Sequence, residues 1–284
     1  MLVRVVTDSA ADIPPEMVKE LSITVVPDNV HFGQRTFQDG IDLTSEEFFA
    51  KLAGSPVIPT TSQPSVGVFE DVYRRLADET NQIISIHLPA KMSAVLTSAR
   101  SAAQALPGVE IVRIDSGQVS MAMGWLVITA ARAARQGKTL AEIVALVEQT
   151  RPRLRLIAML ESLEYLQKGG RIGKAQALLG TAMRMKPLIQ VLDGEALPVQ
   201  NVRTRSAALA RLVEIVSAMA PLEQVAIPHA NVPDLAQRLA AMLTPIFPLE
   251  RILIYPVGAI LGTHIGPGAV GVACVLAAKS EGPR

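Results

Sequence analysis

Two stretches of this chain nearly repeat each other: Val5-Val6-Thr7-Asp8-Ser9-Ala10 and Val112-Arg113-Ile114-Asp115-Ser116-Gly117. Each is a short apolar run that stops at Asp-Ser and a small residue, and each precedes a segment of helical character. A strand that turns into a helix, and does so again further along, is the mark of a parallel sheet with helices packed on its faces. In open sheets of that kind the strand ends lie side by side. That geometry would gather Asp8, Ser9, Thr61, Ser62, Ser93, Asp115 and Ser116 along one crevice. For both aspartates, capping of the following helix is the expected role.

The segments between fit the same rhythm. Residues 14–21 have helical character and residues 23–27 are apolar, while residues 29–42 carry Gly33 and Asp39-Gly40 and predict a hairpin. Thr44-Ser45-Glu46-Glu47 spells a capping box opening a helix over residues 46–52. Residues 60–65, Thr-Thr-Ser-Gln-Pro-Ser, precede a run in which Val68, Phe69, Val72, Tyr73 and Leu76 recur at helical spacing, which predicts a hydroxyl-rich loop feeding a helix. Hydroxyls in that place cap the helix or help hold an anion at its positive end. Strands are expected over residues 82–88 and 109–114, then a long apolar helix around Trp125 and a second helix to about Arg151. From Leu154 the texture changes. Hairpin signals, such as Asp193-Gly194, mix with crossover connections, so a second α/β domain with a mixed sheet is expected to begin near residues 150–155.

A chain of 284 residues exceeds what one core usually organises, which agrees with two domains. Its 27 Lys+Arg and 26 Asp+Glu leave a net charge of +1, so no general attraction draws it to nucleic acid or an anionic membrane, and any anion recognition is local. Cys274 is the single cysteine; it excludes an intramolecular disulfide or a cysteine-based zinc cluster, and a reducing compartment is expected. The opening reads at once as a strand and lacks the regions of a signal peptide, so a cytoplasmic location is expected. Residues 252–278 contain no Asp, Glu, Lys or Arg, but Pro256, Pro267, five glycines and His264 interrupt them. Strand, loop, strand is the expected course there, with no membrane span.

Several motifs fail on context. Gly266-Pro267-Gly268-Ala269-Val270-Gly271 matches the letters of a dinucleotide fingerprint but leads into an apparent strand, not a helix, and no P-loop or Gly-x-Ser-x-Gly elbow is present. His31, His87, His229 and His264 are scattered without metal-ligand spacing. His264 stands apart because glycines surround it, which lets backbone approach a ligand closely, and because a polar ring in an uncharged loop needs a partner. Arg171 follows Gly169-Gly170, which suggests a tight turn presenting the guanidinium; Arg203 and Arg205 end a hairpin strand and are expected to face solvent. Met121, Met123, Met159, Met183 and Met185 read as ordinary core, though thioethers also suit a flexible apolar ligand. From the residues alone the reading is an anion-binding cleft.

The order of the pieces resembles the DegV family over nearly the whole chain. The likeness is carried by Thr7-Asp8-Ser9-Ala10, Phe37-Gln38-Asp39-Gly40-Ile41-Asp42, Thr61-Ser62-Gln63-Pro64-Ser65, Ser93, Asp115-Ser116, the run from Leu163-Glu164-Tyr165-Leu166 to Lys168-Gly169-Gly170-Arg171-Ile172, and Gly262-Thr263-His264-Ile265-Gly266-Pro267-Gly268. The resemblance implies an α/β protein of two domains, the EDD fold: a Rossmann-like, three-layer parallel-sheet domain over residues 1–153 holding an acyl chain, and a smaller mixed-sheet domain over residues 154–284 closing over its carboxylate. It implies a carrier without catalysis of its own and without cofactor or metal, which binds a long-chain fatty acid and presents it to a separate ATP-dependent fatty acid kinase, with transient membrane contact and no nucleic acid. Thr61, Ser62, Ser93 and His264 would hold the carboxylate; Arg171 and Arg203 would handle the acyl phosphate or dock the kinase. The family usually has Ser-Gly-Thr where this chain has Ser93-Ala94-Val95. The tunnel is expected to be lined by aliphatic and Met side chains of the first domain, including some of the helix around Met121 to Ile128. A rival reading makes Ser62 or Ser93 the nucleophile of a hydrolase or acyltransferase, with His264 as base.

Overall fold

The computed structural model describes residues 2–179 and 185–278; Met183 lies outside them. The first half runs β1 (Arg4–Asp8), α1 (Pro15–Glu20), β2 (Ile23–Val26), β3 (Asn29–Phe32), β4 (Arg35–Gln38), α2 (Ser45–Ala53), β5 (Thr60–Ser62), α3 (Val66–Ala77), β6 (Gln82–His87), α4 (Val95–Gln104), β7 (Glu110–Asp115), α5 (Ser120–Arg135) and α6 (Leu140–Thr150). The second runs β8 (Leu154–Met159), α7 (Glu164–Lys168), β9 (Lys186–Leu192), β10 (Glu195–Val202), α8 (Arg205–Ser217), β11 (Leu222–His229), α9 (Pro233–Leu243), β12 (Ile252–Pro256), α10 (Ala259–Ile265) and β13 (Val270–Leu276).

Three sheets result. The parallel sheet has the order β2-β1-β6-β7; its inner strands β1 and β6 are buried along almost their whole length, as strands covered on both faces must be, while the edge strand β7 is buried only at intervals. The predicted hairpin forms β3 and β4, turning at Gly33 with φ +61°, and β5 joins it to make a small antiparallel sheet. The mixed sheet has the order β10-β9-β8-β13-β11-β12, with Asp193 and Gly194 in the left-handed region at the β9–β10 turn. Among the described residues no helix is long and apolar enough to cross a membrane.

The two halves share one core. Helix α5 is buried nearly all round because it lies between the sheets: it packs on β1 and β6 on one side and β13 on the other, where the Trp125 Nε1–H donates to the Ala273 carbonyl at 3.2 Å. A helix apolar nearly all round is stable where neighbours cover it on several sides. On β13 the side chains alternate: Ala273 and Val275 join this core, while Val270, Val272 and Cys274 join a second one under α8 and α9. Burial pushes the Cys274 thiol up to about 12, which keeps it unreactive.

Two local expectations are corrected. Residues 60–62 are a short strand rather than loop, because their backbone pairs with β3. The stretch carrying His264 is a helix, α10, so residues 252–278 run strand, helix, strand. Its glycines, which look like loop residues in the sequence, serve close packing: a Cβ on Gly262 would stand 2.4 Å from the Phe48 ring.

Candidate functional site

A cavity with about 1090 Å³ of empty space, part of it open to solvent, lies between the mixed sheet and the strand ends of the first half. Strand alternation builds its wall. Leu156, Ala158 and the following Leu160 face inward from β8, and Ile189 and Val191 do so from β9, while Ile157 and Met159 turn to the opposite core. Leu88, Met92 and Val119 close the other side. The expectation that residues 121–128 of α5 line the cavity is corrected: these side chains fill the core between the sheets, and the apolar wall is drawn largely from the second half.

Five polar residues named from the sequence meet on the cavity wall. Thr61 and Ser62 come from β5, Ser93 from the turn before α4, Arg171 from the turn after α7 and His264 from the last turn of α10; all five line the cavity. His264 Nε2 lies 2.9 Å from Thr61 Oγ1, while its Nδ1 is buried without a hydrogen-bond partner. Burial, reinforced by the Arg171 guanidinium, lowers the ring to about 4, so the imidazole is neutral at pH 7. A charged imidazole is thus not the resting state of this site. Gly169 makes the ring's place: a Cβ there would fall 2.3 Å from Nδ1. Arg171 is pinned by its own turn and by the first half, Nη1 donating to the Gly169 carbonyl at 2.7 Å and Nε to that of Met92 at 3.1 Å.

Ser62 Oγ lies 2.8 Å from His31 Nε2, and Ser93 Oγ accepts the Val95 N–H at 3.3 Å. His264 is therefore paired with a threonine and not with either serine the hydrolase reading requires. Ala94 sits at φ −86°, where a side chain costs nothing, so the glycine usual in the family is not needed by the backbone here. Arg203 is exposed at the end of β10 and does not line the cavity.

Helix α10 is held from the first half. Asp12 Oδ1 accepts the Gly258 N–H and Asp39 Oδ1 the Ala259 N–H, each at 2.8 Å, while Ser45 Oγ donates to the Val257 carbonyl at 2.7 Å. Burial raises Asp12 to about 8 and Asp39 above its ordinary value, against those hydrogen bonds. Asp28, also on the cavity wall, is raised well above its ordinary value by burial and by neighbouring Asp8 and Asp39, and Ser9 Oγ donates to it at 3.2 Å.

The other members of the expected crevice stay out of the cavity. Asp8 accepts from His87 and from the Leu88 N–H, Asp115 from the Ala90 and Gly117 N–H groups, and Ser116 bonds to Gln118. Ser65 caps α3 through the Val68 N–H. Sequence reasoning missed His31, Asp28, Asp12 and Asp39 as parts of the site. Asp28, His31 and Asp39 lie in or beside the hairpin, whose pairing with β5 no local pattern announces, and Asp12 lies in the turn between β1 and α1. Among the described residues no three metal-ligating side chains cluster.

A parallel sheet and a separate mixed sheet packed about one core, with this cavity between them, make an α/β fold that known structures share. A family model described as "Uncharacterised protein, DegV family" matches residues 2–277. A DegV domain-containing protein of Streptomyces coelicolor is 37% identical over 95% of this chain and 97% of its own length. The solved structure of DegV of Bacillus subtilis, described as a fatty acid binding protein, is 31% identical over 97% of this chain and 99% of that one, with a TM-score of 0.87. A fatty-acid-binding DegV family protein of Thermus thermophilus superposes with a TM-score of 0.89 at 28% identity, covering 98% and 100% of the two chains. The chain belongs to the DegV family.

Proposed function

We propose that this protein binds a long-chain fatty acid, its acyl chain in the cavity and its carboxylate at Thr61, Ser62, Ser93 and His264, and presents that carboxylate to a separate ATP-dependent fatty acid kinase. The observation that carries the reading is the make-up of the cavity wall, aliphatic along β8 and β9 with Thr61, Ser62, Ser93, Arg171 and His264 among its polar members. The fatty-acid-binding relatives support the ligand class. At ~0.8 kcal/mol per buried CH₂, a chain of roughly sixteen carbons supplies most of the affinity, and the head group sets its orientation. The Ser62 and Ser93 hydroxyls, with the one proton that the bonded Thr61–His264 pair has left to give, offer a carboxylate hydrogen bonds that replace lost hydration.

Catalysis belongs to the partner in this reading. Arg171 meets the phosphoryl group, and Arg203, outside the cavity, contacts the kinase. The test is mass spectrometry of lipid extracted from the purified protein, followed by incubation with ATP and a fatty acid kinase. Intact long-chain acid, converted to acyl phosphate only when the kinase is present, is expected. Recovery of only short polar acids, or covalent labelling of Ser62 or Ser93 by a serine-directed phosphonate, would reject it.

A further inference from the structure

The His31 imidazole spans all three strands of the small antiparallel sheet. It stands on β3, its Nδ1 2.9 Å from Thr36 Oγ1 on β4 and its Nε2 2.8 Å from Ser62 Oγ on β5. Thr36 lies directly opposite His31, whereas Ser62 lies opposite Asn29, so the ring reaches diagonally to the serine. Ser62 lines the cavity; His31 does not. The ring therefore touches the site only through the serine hydroxyl.

That hydroxyl has one proton, and the imidazole decides where it points. If Nε2 carries the ring proton, Nε2–H donates to Ser62 Oγ, the Thr36 hydroxyl donates to Nδ1, and the Ser62 O–H is left to donate into the cavity. If Nδ1 carries the proton, it donates to Thr36, Nε2 takes the Ser62 O–H, and the cavity meets only serine lone pairs. Threonine serves both arrangements equally, because a hydroxyl donates or accepts. A carboxylate accepts only, so it is stabilised by the first arrangement and repelled by the second.

We propose that His31 is a positioning residue that, with its proton on Nε2, turns Ser62 into a donor and so selects an anionic head group over a neutral one. This rests on the fatty-acid reading of the cavity. It assigns Ser62 a different task from Thr61, whose imidazole partner is itself part of the cavity wall.

The experiment uses full-length protein with ¹⁵N-labelled histidine, freed of lipid and then loaded with a C16 fatty acid or with the C16 alcohol. Loading with the acid is expected to place the His31 proton on Nε2, read from its nitrogen shifts, while the alcohol, which both donates and accepts, leaves the tautomer mixture of the free protein. His31→Leu should weaken the acid by about fivefold and leave the alcohol unchanged, as the loss of one neutral hydrogen bond predicts. His31→Gln, whose amide also donates to Ser62, should restore most of the difference. If the wild type binds the acid with no change in the His31 tautomer, or if His31→Leu weakens acid and alcohol equally, His31 is only part of the sheet and the inference fails alone. If the wild type binds no long-chain acid, the fatty-acid reading falls and takes this inference with it.

Discussion

His87 and His264 both turn an imidazole inward against a hydroxyl, and the contrast between them separates structure from site. His87 uses both ring nitrogens: Nε2 lies 2.6 Å from Ser85 Oγ and Nδ1 2.9 Å from Asp8 Oδ2, with the Tyr73 hydroxyl 2.8 Å beyond the serine. The order is that of a Ser-His-Asp triad. Yet all four side chains are 0% exposed and none lines the cavity, so the chain of bonds ties β1, β6 and α3 together within the core. His264 uses one nitrogen on the Thr61 hydroxyl of the cavity wall and keeps the other buried and unpaired against Gly169. An imidazole bonded only to buried groups holds the fold; one bonded to a hydroxyl of the cavity wall orients a group that a ligand can meet.

The largest effect should come from breaking the satisfied member. Asp8→Ala strands His87 Nδ1 and the Leu88 N–H in the core, and urea denaturation should show a loss of about 2–4 kcal/mol. Lipid recovered per folded molecule should not change; a variant of wild-type stability that has lost its lipid would erase the contrast. His264→Ala should do the reverse. Its unfolding midpoint stays near wild type and the acyl chain still binds, while acid affinity falls by about 1–3 kcal/mol and turnover by the kinase drops sharply. Wild-type turnover would make His264 a structural residue after all.

A smaller effect follows from pH. The folded ring titrates at about 4 and the unfolded one near 6.5, so between those values the unfolded chain binds a proton that the folded chain refuses. Stability from the neutral ring is complete above pH 6.5 and is lost as pH falls toward 4. Calorimetry from pH 7 to 5 should show wild type losing about 1–2 kcal/mol relative to His264→Ala, which also cancels the opposing contribution of Asp12. Parallel curves would mean that burial does not depress the ring. The smallest change is Gly169→Ala, whose methyl must push the imidazole from its 2.3 Å approach. Acid affinity should fall by about 1 kcal/mol, roughly fivefold, with C16-alcohol affinity and stability nearly unchanged. Equal loss for both ligands would place the disturbance in the tail wall.

Much of the frame was legible because local chemistry determined it. The Thr44–Glu47 capping box forms as spelled, and Asp193-Gly194 makes its hairpin turn. Thr61, Ser62, Ser93, Arg171 and His264 could be marked in advance as hydroxyls at strand ends or polar groups among glycines, and by their likeness to family motifs. What stayed hidden depends on pairing between distant segments. His31 joins Ser62 only because β3 lies beside β5, and nothing near it in the sequence says so. The cavity wall on β8 and β9 was hidden for another reason. An aliphatic side chain that faces a cavity and one that faces the core read alike, so the methionines of α5 seemed equally good candidates. Helix α10 was obscured because glycine used for close packing looks like glycine used for a turn.

Helix α10 belongs by chain to the mixed sheet but is gripped at its N-terminus by Asp12 and Asp39 and, through His264, at its other end by Thr61. This polar part of the cavity wall is thus assembled across a seam. Any movement that parts the two halves separates Thr61 from His264, which on the fatty-acid reading breaks the head-group site. If the cavity holds a fatty acid, substitutions at Asp12 or Asp39 are expected to change its residence time more than its equilibrium affinity.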